Sequence, residues 1–99
     1  MTGRIRLAIT EAHASDAVLD VVQDHDGVTW IGSWAGGVSR FDRASKSFTA
    51  FTSKNAGLGD DNVFALHVDE SGTLWAGTQK HGVYRFDRAR QRFESPARV

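Results

Sequence analysis

The sequence predicts an all-β protein made of two copies of one four-stranded antiparallel unit. Three observations carry this. The chain repeats itself: shifted by 45 residues, positions 16–52 fall on positions 61–97, and 14 of the 37 pairs are identical. The identities include Asp24/Asp69, Gly27/Gly72, Trp30/Trp75, Gly32/Gly77, Gly37/Gly82, Arg40/Arg85, Phe41/Phe86 and Phe48/Phe93. Within each copy, short apolar and β-branched runs alternate with turn residues, as strands and hairpins require. Ten Gly and ten aromatics against a single Pro suit strands joined by tight turns.

Taken in order, Arg4–Ile9 is an isolated strand candidate in residues 1–15, expected to clasp the edge of a sheet. The first repeat, 16–60, offers strands at Val18–Gln23, Thr29–Ser33, Val38–Phe41 and Phe48–Thr52. The second, 61–99, offers Val63–Val68, Leu74–Thr78, Val83–Phe86 and Arg92–Ser95. Ser15–Gln23 alone also fits a helix, with Ser15 as N-cap and Val18, Leu19 and Val22 at helical spacing. Its counterpart around Phe64 is poor in helix formers, and two copies of one unit share one structure, so both are read as strands. Gly27 and Gly72 stand where a hairpin needs positive φ, with Asp24 and Asp69 placed to bond the turn backbone. Apolar residues fall on both faces of the strands, which predicts a sheet covered on both sides. A doubly covered four-stranded unit of about 45 residues is a β-propeller blade.

Composition narrows the function. Twelve Lys and Arg balance twelve Asp and Glu, so the charge excess of a nucleic-acid binder is missing. The absence of Cys removes disulfides, thiol nucleophiles and thiolate metal sites. No apolar run approaches the roughly 18 residues of a membrane span, and the first residues lack the apolar core of a secretory signal. The four His show no ligand spacing, so neither a metal nor another cofactor is expected. Ser33 and Ser39 lie in no nucleophile elbow, and no phosphate-binding or dinucleotide loop occurs. The expectation is a non-enzyme.

The pattern D-x-x-G-x-x-W-x-G-[ST]-x-x-x-G-V-x-R-F-D-R, at 24–43 and 69–88, resembles the two-component-regulator propeller repeat, over roughly residues 16–96. That resemblance implies a sensor propeller of a bacterial signalling protein, a class that usually faces the periplasm. It also implies that residues 10–16, 33–37, 53–61 and 78–82 share one end of the blades, here termed the upper end. The turns at 24–28, 42–47, 69–73 and 87–92 then share the lower end. Two blades are fewer than a ring needs, so the chain is expected to be part of a larger propeller or to close a ring by self-assembly. A trimer is favoured over a tetramer. A small ring-forming lectin is the second reading, and a propeller lyase or hydrolase the third.

Candidate binding residues are those the repeat does not demand. Trp30 and Trp75 recur and are read as core. Trp34 faces Gln79 in the other copy, and the turn pair SWAGG and TQKHG differs most, so Trp34, Gln79, Lys80 and His81 are the candidate ligand site. They suit a small polar, carbohydrate or anionic ligand. His67 is read as a hydrogen-bonded strand residue, Asp60 and Asp61 as turn caps, and Arg40 to Arg43 with its copy as a structural Arg–Asp arrangement.

Overall fold

The structure, a computed structural model, describes residues 17–95. Eight strands run in chain order: β1 Val18–Gln23, β2 Thr29–Ser33, β3 Gly37–Asp42, β4 Ser47–Phe51, β5 Val63–Val68, β6 Leu74–Thr78, β7 Val83–Asp87 and β8 Arg92–Glu94. They form two four-stranded antiparallel sheets, β1-β2-β3-β4 and β5-β6-β7-β8, each a meander. These are the two predicted propeller blades. No described residue is helical, so none lies in a helix able to cross a membrane, and the helical alternative for 15–23 gives way to β1 over its described residues. The Arg4–Ile9 strand candidate lies outside the described residues.

Equivalent local chemistry builds each blade. The register slips at the same place in both first strands, between Val18 and Asp20 and between Val63 and Ala65. The β1–β2 and β5–β6 turns are closed by one aspartate each. Asp24 Oδ1 accepts from the Asp26 and Val28 N–H groups at 2.9 and 3.0 Å, and Asp69 Oδ1 accepts from Ser71 and Thr73 at 3.0 and 2.9 Å. Gly27 and Gly72 take φ of 84° and 90° there, a region costly for residues with a Cβ. The other aspartate oxygen accepts the indole N–H two positions into the next strand, Trp30 to Asp24 and Trp75 to Asp69, each at 2.9 Å. Tying a turn to a tryptophan explains why Asp, Gly and Trp recur together.

The blades pack face to face through one core. Trp30, Val38 and Phe51 of the first blade meet Leu66, Leu74, Ala76, Phe86 and Phe93 of the second, with Ala56 and Leu58 of the connecting segment. The ring of Trp30 lies 4.9 Å from Phe86 and 5.7 Å from Phe51. Gly32 is required by this approach, because a Cβ there would stand 3.0 Å from Val63 Cγ1 and 3.3 Å from its carbonyl oxygen. Asp20 Oδ2 accepts the Leu66 N–H at 2.8 Å, fastening β1 to β5.

Three sequence expectations change here. Trp75 is half-buried where Trp30 is buried, because the equivalent face of the second blade has no covering sheet among the described residues. The His67 imidazole is exposed on that face and has no hydrogen-bond partner among the described residues, although its backbone pairs with Trp75. The recurrent Arg and Asp do not fasten one another as read. Asp42 and Asp87 cap their own turns, accepting from Ala44 and Ala89 N–H at 3.0 Å each. Arg40 and Arg85 instead lie over Trp rings, and Arg88 reaches across to the first blade, its Nη1 2.7 Å from Asp26 Oδ2.

Candidate functional site

The segment between β4 and β5 threads between the β2–β3 and β6–β7 turns and fixes both. Asn62 is its centre. Its Oδ1 accepts the Ala35 N–H at 2.7 Å, its Nδ2 donates to Gln79 Oε1 at 3.1 Å, and its carbonyl accepts the Gln79 N–H at 3.0 Å. Asp60 adds a second tie: Oδ1 accepts from Asn62 N–H at 2.9 Å and Oδ2 from Lys80 N–H at 2.8 Å. Those two N–H groups hold the Asp60 carboxyl below its ordinary value, and the His81 imidazole, Nδ1 3.6 Å from Oδ2, adds to the effect. Asp61 accepts from the Ser53 N–H and hydroxyl at 2.7 and 2.8 Å. Both acids are therefore turn fasteners, as read from the sequence.

The four candidate residues thus lie on the two turns joined by Asn62 and Asp60, in two different situations. Gln79 is committed through both its side chain and its backbone. Trp34, Lys80 and His81 are exposed at the surface, Trp34 to 44%. Lys80 forms no ion pair among the described residues. The surface therefore presents an indole, an ammonium and an imidazole on turns held by backbone-directed bonds, an assortment suited to a polar or anionic molecule. Sequence reasoning passed over Asn62. Its counterpart is Ala17, so the signal was the same copy-to-copy difference that marked Trp34.

Two clefts lie at the other end, among the described residues. One of about 320 Å³ runs between the lower turns, lined by His25, Asp26, Ser71, Thr73, Phe86 and Arg88 among others. A narrower groove of about 150 Å³ continues along Trp30, Arg40 and Gln91. Among the described residues no group of three or more His, Cys, Asp or Glu could hold a metal ion.

Residues 57–80 match the model of the two component regulator propeller family, in agreement with the resemblance drawn from the repeat. Two solved structures share the fold, each with a TM-score of 0.67 and 20% identity over 87% of this chain. Both are of the extracellular domain of BT4673 from B. thetaiotaomicron, titled in one case a one component system and in the other a hybrid two component system. This chain spans only 12% and 11% of their lengths. No curated protein matches it.

Proposed function

We propose that the chain is a non-catalytic, ligand-sensing segment of a propeller of the two-component-regulator type. Its ligand is a small polar or anionic molecule taken up at the upper end by Trp34, Lys80 and His81, with Gln79 holding the turn. The supporting observation is the bond network through Asn62 and Asp60, which ties the two variable turns together while leaving three chemically different side chains exposed. Preorganised turns lower the entropy cost of binding. Titrating a panel of glycans and small acids by NMR tests the reading. The double variant Trp34→Ala, His81→Ala should weaken any binder at this end about tenfold or more while remaining folded. A ligand bound equally well by that variant would put the sensing surface elsewhere.

A second reading, a self-assembling ring, is favoured by one observation. The face of the second blade equivalent to the covered face of the first carries exposed Val83, at 50%, and half-buried Trp75. A second copy offering another blade would cover it, as the second blade covers the first.

A further inference from the structure

The repeat provides an internal comparison at one arginine pair. Arg40 and Arg85 occupy equivalent places in β3 and β7, their guanidinium carbons 5.6 and 5.9 Å from the Trp30 and Trp75 rings. Arg85 is neutralised within its own blade, where Nη2 donates to Glu94 Oε2 at 2.8 Å. The position of Glu94 is Thr49 in the first blade. Arg40 accordingly forms no ion pair among the described residues; its Nη1 donates to the neutral Gln91 Oε1 at 2.7 Å. Half-buried between two aromatic rings, with Phe51 at 5.1 Å, it is a guanidinium lacking the counter-charge its twin possesses. A charge removed from water in this way favours an anionic partner.

Arg40 lines the 150 Å³ groove with Asp24, Asp26, Arg88 and Gln91. Of the two acids, Asp24 accepts from two backbone N–H groups and the Trp30 indole and stands 3.6 Å from Arg88 Nη2, a longer contact than the Asp26 pair. Asp26 is 64% exposed and holds Arg88 by a surface pair, an interaction worth little in water. A ligand carboxylate can therefore replace Asp26 on Arg88, and His25 stands beside it in the adjoining cleft.

We propose that this lower groove between the blades binds a small organic carboxylate, held between the Arg40 and Arg88 guanidiniums with Gln91 and His25 at the rim. The aromatic rings beneath Arg40 fix its plane, and a planar guanidinium matches a carboxylate through two parallel hydrogen bonds. The site lies at the end opposite Trp34 and His81 and does not rest on the proposal made for them.

Citrate is a suitable probe, titrated at constant ionic strength with sodium chloride as the reference. The signals to follow are the Arg40 Nε–H and Trp30 indole N–H resonances. Saturable shifts with citrate that chloride does not reproduce are expected. Thr49→Glu installs the acid that the second blade already has. It should weaken citrate binding about tenfold or more, as should Arg40→Gln, each removing a charge-assisted contact. Asp26→Asn frees Arg88 and should strengthen binding. Trp34→Ala should leave it unchanged, which separates this site from the upper one. Shifts that fail to saturate or that chloride reproduces would overturn the proposal. So would undiminished binding in a folded Thr49→Glu variant, or weaker binding in Asp26→Asn.

Discussion

Replacing Trp30 by alanine and, separately, Trp75 by alanine measures what contact between the blades contributes. The two tryptophans are locally matched: each donates its indole N–H at 2.9 Å to the aspartate six residues earlier, and each lies beneath an arginine. They differ in their surroundings. Trp30 is 4% exposed and packs on Phe51 and Phe86, whereas Trp75 is only half-buried. Truncating a buried large aromatic costs about 3–5 kcal/mol through lost transfer energy and the cavity left behind. For Trp75 less of the side chain is buried and no closed cavity forms, so only the transfer cost of a large apolar side chain applies, about 1.5–3 kcal/mol. The lost indole bond is common to both and cancels in the difference, leaving about 2 kcal/mol for the interface. Urea denaturation followed by fluorescence of the remaining tryptophans reads both losses, provided the denaturant slope is unchanged. Equal losses would refute the reasoning, since they would place the stabilisation within each turn instead of between the sheets.

Stability should also fall in acid. The Asp24 and Asp69 carboxyls are held below their ordinary value: for Asp24, burial pushes upward but the Trp30 indole, two backbone N–H groups and Arg88 outweigh it, and for Asp69 the Trp75 indole and Ser71 hydroxyl lead. Because unfolded aspartates titrate near about 3.9, the stabilisation is complete above that pH and is lost progressively below it. Urea midpoints measured from pH 6 downward should drop beneath about pH 4, and less steeply in Asp24→Asn, whose baseline is already lower. At micromolar concentration the chain should form a closed oligomer, a trimer before a tetramer. A folded, monodisperse species of 10.9 kDa by light scattering would contradict that.

The strands and the aspartate turns were legible because they answer to short-range rules, and the second copy checks the first. Asp24, Gly27 and Trp30 sit within seven residues of one another, so their shared role is visible as a spacing. What escaped was decided by partners distant in sequence. Arg88 follows an aspartate and reads as its neighbour's partner, yet it crosses 62 positions to Asp26. Trp75 carries the same local pattern as Trp30 but a different burial, because coverage depends on which sheet lies opposite. His67 was placed in a strand correctly, but the face it occupies is open, and an open face gives a histidine water instead of a protein acceptor.

The distribution of differences between the copies has a physical logic. Residues identical in both, such as Asp24, Trp30 and Asp42, close turns inside a blade and are needed wherever a blade exists. Arg88 and Asp24, 3.6 Å apart, join the blades through residues that recur; the other side-chain ties are Asp20 on the Leu66 N–H, Asp26 on Arg88, Gln91 on Arg40 and Asn62 on the Ala35 N–H. Their counterparts are Ala65, Ser71, Lys46 and Ala17, none of which can make the same bond. The apolar core between blades is therefore generic, whereas these latches are particular to this junction. A second copy docked on the open face in the same geometry would retain Trp75 against Phe41 but would set Lys46 against Arg85. Such an assembly would rest chiefly on apolar burial, and its affinity would be lower than the internal junction's by the polar contacts it lacks. The blade sequence thus encodes both a module and its order, the first in what repeats and the second in what does not.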